Sequence, residues 1–253
     1  MEWTALLALA AATFTGALVQ AATGFGFAIL AAPVFLAVIG TTSAIPILVT
    51  LHVVQSAIIV PALWAKASRW HLRQLLQGAV LGCPLGLWLF TRLDVRGLKL
   101  TVGVLILGVI ALLLWRERVS AGPKRGLRGA RHGRLTTIST GVMSGALTSL
   151  LVMPGPPLML YFMGERQAPD AVRALSLSFF AVLYVAITLA NAALGHMPRS
   201  SWSTVLLLAP AVVAGTVAGA SLAGQFSDAG MRAALLALLF LSGAGAIVSG
   251  LVG

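Results

Sequence analysis

Two short segments rich in glycine and proline interrupt long apolar stretches, and they are the parts of the chain best suited to bind a ligand. The first, ATGFGFAILAAP, covers residues 22–33, and the second, VMPGPPLMLY, covers residues 152–161. A helix that restarts after such a break begins with free backbone N–H groups at the positive end of its dipole. Two such N-termini that face each other would bind an anion without a buried lysine. The sequence therefore predicts an anion site between the two breaks.

The ionisable side chains also favour an anion over a cation as the ligand. All six acidic residues are expected at the ends of apolar segments or in loops, so no carboxylate would lie within a span to bind a cation. His52 is the ionisable residue deep within a span, which predicts a cavity or gating role. Arg173 opens the helix after the second break, and it either points into the cavity or extends its guanidinium to the membrane interface. The acidic residues are Glu2, Asp94, Glu117, Glu165, Asp170 and Asp228.

The candidate binding residues are those of the two breaks, together with polar and aromatic residues expected nearby. Phe25 and Phe27 would form an apolar wall, and the hydroxyl of Thr23 and the amide of Gln20 would hydrogen-bond the ligand. Ser176 is among the weaker candidates, because polar side chains within a span often bond their own helix or a neighbouring one. The full set is Gln20, Thr23, Gly24, Phe25, Gly26, Phe27, His52, Gln55, Ser149, Pro154, Gly155, Pro156, Arg173, Ser176 and Tyr184.

The elements that carry these residues must be membrane helices. Of the 253 residues, 59% are hydrophobic and 9% are charged, and the mean hydropathy is +0.99. A soluble globular domain has about 25% charged residues, so this chain has too few polar side chains to cover a surface in water. We expect an all-α polytopic membrane protein. Because the N-terminal apolar segment carries Glu2 instead of the positive charges of a signal peptide, we expect it to be retained.

The formal net charge of +11 is explained best by membrane topology. Seven Lys and Arg residues fall in the segment RERVSAGPKRGLRGARHGR, residues 116–134. Positive loops between apolar spans are held in the cytoplasm, which predicts a multi-pass protein of the bacterial inner membrane with this loop inside. Contact of the loop with anionic lipids is compatible with that orientation. No aromatic side chains interleave the charges as they would on a nucleic-acid surface, so nucleic acid is not an expected partner.

The sequence predicts that the chain is an internal duplication. A shift of 129 residues aligns GALVQAATGFG (16–26) with GALTSLLVMPG (145–155), and a shift of 133 aligns GCPLG (82–86) with GTVAG (215–219). The glycine spacings in the second pair predict close helix contacts. Each half reads as a broken hairpin followed by three apolar segments. We therefore expect repeats over residues 1–115 and 135–253, joined by the basic linker 116–134 within one membrane domain.

The repeat permits two arrangements in the membrane. If the hairpins cross the membrane, the chain has eight crossings and parallel halves, and its Lys and Arg divide 11 to 6 between the two sides. If each hairpin is re-entrant, each half has three crossings, the halves are inverted, and the division is 13 to 4. Because positive residues collect on the cytoplasmic side, inverted repeats with re-entrant hairpins are favoured.

Motifs for catalysis, nucleotide binding and metal binding are absent from the sequence. There is no Gly-x-Ser-x-Gly nucleophile, no His-Glu-x-x-His and no phosphate-binding GxxxxGK[ST] loop. The one cysteine, Cys83, allows no internal disulfide. We expect neither an enzyme nor a bound cofactor or metal ion.

Both halves resemble one family of bacterial membrane permeases. GALVQAATGFGFAILAAP in the first half, and GVMSGALTSLLVMPGPPLMLYFMGERQAPDAVRALSLSFF in the second, are similar to the sulfite exporter TauE/SafE family, also known as the toluene-sulfonate uptake permeases. The resemblance covers nearly the whole chain, and the second motif is the more specific. One departure is that family members commonly have more glycines in the breaks, which read TGFGF and VMPGP here.

The resemblance implies a secondary transporter of sulfur-containing anions such as sulfite, sulfoacetate, taurine-related sulfonates or aromatic sulfonates, working by alternating access. The expected partners are a small anionic substrate and the lipid bilayer, with a homo-oligomer as a further possibility. Two alternatives stay open, because helix N-termini do not distinguish a sulfonate from a carboxylate. They are a carrier for another organic anion or small metabolite, and a non-transporting membrane subunit of a complex.

Overall fold

The protein is helical throughout the part of the chain that its computed structural model describes. These residues are 2–120, 133–163 and 168–222, together with positions 244, 245, 247, 248 and 251. They contain no strand, which confirms the predicted all-helical class. Most of the predicted last apolar segment, 231–251, lies outside the described residues, as do Glu165 and Asp228.

The described chain forms a series of helices that follows the predicted order of apolar segments. Four of them are long and apolar enough to cross a membrane, namely α1, α3 with the short turn after it, α8 and α9. The confirmed class is therefore a polytopic helical membrane protein. The helices are α1 (Trp3–Thr23), α2 (Phe27–Ile39), α3 (Ala44–Leu63), α4 (Arg69–Phe90), α5 (Val95–Ser120), α6 (Arg134–Leu151), α7 (Gly155–Met163), α8 (Pro169–Ala193) and α9 (Arg199–Leu222).

Several helices extend beyond the limits that hydropathy predicted. Helix α5 continues to Ser120, into the segment predicted as linker, so that Glu117 lies in the last turn of this helix, at its end. Helix α4 begins at Arg69, before the apolar run that starts near residue 74. An apolar segment read from hydropathy ends at the first charged residue. The backbone hydrogen bonds of a helix, in contrast, continue through charged residues at the ends of a span.

Helices α2 and α3 form the centre of the bundle, and the helices around them present apolar side chains outward. Phe27, Phe35 and Leu48 of these two helices are fully buried in one hydrophobic core cluster. Val80 of α4 and Leu206 of α9, in contrast, are about 70–75% exposed, as expected for lipid-facing positions. The buried centre therefore contains the first break, and the outer helices shield it.

Two glycine seams bring helix backbones into direct contact. A Cβ atom at Gly82 of α4 would lie 2.0 Å from the carbonyl oxygen of Val142 in α6, and one at Gly219 of α9 would lie 2.1 Å from that of Leu18 in α1. The predicted helix contacts of the GCPLG and GTVAG segments are thus confirmed. If the halves correspond as the duplication predicts, α4 matches α9 and α6 matches α1. The two seams would then be the same contact made twice.

The helix ends gather at two opposite ends of the bundle. The connections after α2, α4 and α8 meet at what we call the distal end, where Ser43, Thr91 and His196 line one cavity. The starts of α4 and α6 lie at the other end, where the ring of Tyr161 in α7 approaches that of His71 and its hydroxyl lies 3.1 Å from that of Thr137. Helix α2 therefore ends at the distal end, and α7 ends at the opposite one.

Replacing Gly82 by alanine is expected to lower the free energy of unfolding by about 1–3 kcal/mol. The added Cβ would overlap the Val142 carbonyl and force α4 away from α6. Thermal unfolding of the detergent-solubilised protein, followed by circular dichroism, measures the change. Gly108→Ala in α5 is the matched control, because a Cβ there meets nothing within 4 Å. A Gly82→Ala protein that melts with the wild type would contradict the close approach of the helices.

Candidate functional site

The first break is a tight reversal organised by Thr23 and two glycines. Gly24 and Gly26 have φ values of 91° and 113°, a left-handed backbone that glycine adopts without steric cost. The hydroxyl of Thr23 lies 2.8 Å from the carbonyl oxygen of Val19 and 2.9 Å from that of Phe25, and it accepts a hydrogen bond from the Phe25 N–H at 3.2 Å. Thr23 therefore supplies hydrogen-bond partners to the backbone of Phe25, which is outside the helix.

The second break reaches a similar reversal without glycine at its left-handed position. Val152 has φ 60°, which costs a β-branched residue about 1–2 kcal/mol. The N–H of Val152 donates to the Thr148 carbonyl at 2.9 Å, and that of Met153 donates to the Leu147 carbonyl at 3.3 Å, closing the end of α6. Helix α7 then begins at Gly155. Backbone strain is therefore concentrated at the second break, as it often is at functional sites.

The two breaks meet in the interior of the bundle. A Cβ atom at Gly155 would lie 3.1 Å from the ring of Phe25, so only a glycine admits this contact without a shift. Both breaks line one small cavity of about 10 Å³, which is room for a single water molecule. Of the predicted site residues, the structure brings together around this cavity Gln20, Phe25, Gly26, Pro154, Gly155, Pro156 and Tyr184.

Gln20 links the first break to α8. Its side-chain oxygen accepts a hydrogen bond from the Phe27 N–H at 3.3 Å, which is the first backbone donor of α2. Its side chain also hydrogen-bonds the hydroxyl of Tyr184, and it is only 2% exposed. The amide oxygen of Gln20 thus occupies a position that an anion oxygen would take at the start of the helix.

The two helix N-termini differ in the number of donors that they offer. The first turn of α2 carries the N–H groups of Phe27, Ala28 and Ile29. In α7 the second and third residues are Pro156 and Pro157, which have no N–H. An anion between the breaks would therefore receive most of its backbone hydrogen bonds from α2, so that the two helix N-termini would contribute unequally to the predicted anion site.

His52 is separated from the cavity by the residues that it packs against. Its ring is fully buried and is stacked on Phe27, with centroids 4.1 Å apart, and against Tyr184 at 4.4 Å. Nδ1 lies 2.8 Å from the Leu48 carbonyl oxygen, which can only accept, so Nδ1 carries the proton. Nε2 is buried without a partner among the described residues. His52 therefore contacts the residue that restarts the broken helix, but it does not line the cavity.

Arg173 crosses from the second half of the chain to the first break. The position of a Cβ on Gly24 lies 3.4 Å from the Cγ of Arg173, and Nη2 of Arg173 donates to the carbonyl oxygen of Ala21. That carbonyl belongs to the last turn of α1, where a cation is favourable. Nε is buried without a partner in the described structure. Of the two predicted placements for Arg173, the structure shows a contact with the break itself, next to the cavity rather than in its lining.

The remaining predicted residues do not reach the cavity. Gln55 donates from Nε2 to the Ala17 carbonyl at 2.8 Å and so ties α3 to α1. Ser149 donates to the Gly145 carbonyl at 3.1 Å within its own helix. Ser176 is fully buried, and its hydroxyl has no partner among the described residues.

Sequence reasoning missed Phe180, which closes one side of the cavity. Its ring meets that of Phe25 edge-on, with centroids 5.7 Å apart. The signal was present, because Arg173, Ser176, Phe180 and Tyr184 follow a spacing of three, four and four residues and so share one face of α8. The other lining residues outside the predicted set are Ala28, Ile29, Val152 and Met153.

The chain is similar to known membrane proteins over nearly its full length. The model of one protein family, described as Sulfite exporter TauE/SafE, matches residues 8–246. A protein of Cupriavidus necator with the name "Probable sulfite/organosulfonate exporter TauE" is 27% identical over 255 aligned positions, which cover 94% of this chain and 92% of the relative. No solved structure matches the chain. The family match includes both breaks and both glycine seams.

Gln20→Leu is expected to destabilise the protein by about 1–3 kcal/mol for each buried group that it leaves unpaired. The substitution removes the acceptor of the Phe27 N–H and the partner of the Tyr184 hydroxyl, while it roughly preserves the side-chain volume. Unfolding in detergent measures the loss. Gln77→Leu, at an exposed position of α4, is the control. Equal stability of both variants and the wild type would show that Gln20 does not hold the first break.

Proposed function

The chain belongs to the sulfite exporter TauE/SafE family, and we propose that it is a secondary transporter that carries small sulfur-containing anions across the bacterial inner membrane. Sulfite and sulfonates are the substrate class, in line with the name of the Cupriavidus necator relative. The protein acts as a carrier rather than as an enzyme. The basic segment 116–134 lies on the cytoplasmic side.

The observation that carries this proposal is the meeting of two broken helices inside the bundle. Non-helical backbone at membrane depth is tolerated where it lines a cavity or is buried in protein, and paired breaks of this kind typically form transport sites. Here Phe25 of one break contacts Gly155 of the other, and the first turn of α2 lines the cavity between them. The backbone N–H groups of this first turn favour an anion as the ligand.

The cavity volume supports alternating access. About 10 Å³ holds one water molecule and excludes a sulfite ion or a sulfonate. The rings of Phe25 and Phe180 fill the space next to the cavity. Binding therefore requires Phe25 to move away from Gly155 and Gln20 to release the Phe27 N–H, and the described structure represents a closed conformation.

The lengths of the hairpin arms support re-entrant hairpins in inverted halves. Helix α2 spans about 20 Å and α7 about 14 Å, at about 1.5 Å per residue. The two arms end at opposite ends of the bundle, and together they approximate the ~30 Å hydrocarbon core. The loop at Ser43 and the loop at His196 line one cavity, whereas eight crossings with parallel halves would put these loops on opposite sides. The anion site then lies near the middle of the membrane.

Flux through the purified protein in liposomes tests the proposal. We expect entry of radiolabelled sulfite, with competition by sulfonates, and a decrease of at least about tenfold in Arg173→Ala, because the guanidinium holds the last turn of α1 at the break. Arg73→Ala, at an exposed position of α4, is the matched control and should transport normally. A carrier for other organic anions would instead move carboxylates but not sulfite. A non-transporting subunit would move neither, and either result overturns the sulfur-anion proposal.

The sidedness of Ser200 tests the inverted arrangement. In a Cys83→Ser background, a cysteine at position 200 should react with a membrane-impermeant thiol reagent from outside intact cells. A cysteine at Ser68, which is exposed at the opposite end of the bundle, should react only after the cells are permeabilised. Labelling of position 200 only from the cytoplasmic side would support eight crossings with parallel halves.

A further inference from the structure

A second and larger cavity opens at the distal end of the bundle. Its volume is about 420 Å³, within the range of small-molecule sites. Polar groups from three separate loops line it, among them the side chains of Ser43, Thr42 and His196, together with the apolar ring of Phe90. None of its lining residues belongs to the lining of the cavity between the breaks. The two cavities are therefore separate sites.

His196 is held in one orientation at this cavity. Nδ2 of Asn191 donates to the Ile187 carbonyl at 2.9 Å, which directs the amide oxygen of Asn191 toward the histidine. That oxygen accepts a hydrogen bond from Nδ1 of His196 at 3.1 Å, and the backbone N–H of His196 donates to the Asn191 carbonyl at 2.9 Å. The ring meets Phe90 edge-on at 5.8 Å. With Nδ1 engaged, Nε2 is the ring nitrogen available to a ligand.

The charged side chains on the surrounding loops leave His196 as the group suited to an anion. Arg92 lies over the ring of Trp88, with 5.3 Å from its guanidinium carbon to the ring centroid. Asp94 accepts a hydrogen bond from the Gly97 N–H at 2.7 Å and so caps the start of α5. Arg199 begins α9, and the loop between α2 and α3 contains no titratable residue. None of these charged side chains lines the cavity itself, and on the segments that surround it Arg92 and Arg199 outnumber the single carboxylate of Asp94, which favours an anion.

We propose that this distal cavity is a second binding site for the transported sulfur anions, with His196 Nε2 as its principal hydrogen-bonding group. The proposal rests on the proposed transport function. It adds a site where the anion enters or leaves the protein, at the distal end of its route across the membrane. A protonated His196 donates to an oxygen of sulfite or of a sulfonate, whereas bisulfite brings its own proton to the neutral ring. Phe90 forms an apolar wall for the organic part of a sulfonate.

Equilibrium dialysis of the full chain in lipid nanodiscs tests this site with radiolabelled sulfite and benzenesulfonate as probes. We expect two sites per wild-type chain, and His196→Ala should weaken one of them by about tenfold or more. Ser43→Trp should do the same by filling the cavity, since the Ser43 side chain makes no capping hydrogen bond. His71→Ala, a histidine at the opposite end of the bundle, is the matched control and should retain both sites.

Two unchanged sites in both His196→Ala and Ser43→Trp would overturn the proposal. A single wild-type site that is lost in Arg173→Ala and kept in His196→Ala would also overturn it, while it supports the transport function. Absence of any binding to the wild type would overturn both.

Discussion

The cost of an unpaired backbone group inside a membrane governs this structure. Each N–H or C=O that leaves a helix at membrane depth costs several kcal/mol unless the protein supplies a partner. The first break is possible because its partners come from three side chains. Thr23 hydrogen-bonds the backbone of Phe25, Gln20 accepts the N–H of Phe27, and Arg173 donates to the carbonyl of Ala21. These contacts join α1, α2 and α8 at one point, and they leave the next donors of α2 facing a cavity.

The rest of the bundle holds the two breaks against each other. The seams at Gly82 and Gly219 bring α4 onto α6 and α1 onto α9, so that each broken hairpin is fixed by a helix from the other half. The seams allow backbone contact because the residues there have no side chain. At the centre, the same principle lets Phe25 approach Gly155. The result is a small cavity between the breaks, bordered by the rings of Phe25 and Phe180, and enlarging it requires the hairpins to separate.

The sequence predicted those parts of the site that depend on local chemistry and on the duplication. The left-handed positions Gly24 and Gly26 could be expected from their residue type, and the alignment of the halves indicated that Gly155 would face the first break. The target of Arg173 could not be predicted, because the Ala21 carbonyl is 152 residues away in sequence and only packing brings them together. Hydropathy placed the end of α5 too early, since helices continue through charged residues at their ends. The small size of the closed cavity depends on the rotamers of Phe25 and Phe180, which no sequence pattern specifies.

The central claim is that the anion binds between the first turn of α2 and Gly155. The most direct test is anomalous diffraction from crystals of the protein grown in lipid with selenite, a close analogue of sulfite whose selenium can be located directly. The account predicts an anomalous peak between Gly26 and Gly155, with Phe25 displaced from its present contact. Sulfite transport by a protein whose crystals show no selenite between the breaks, and in which Phe25 still covers Gly155 at saturating selenite, would contradict it.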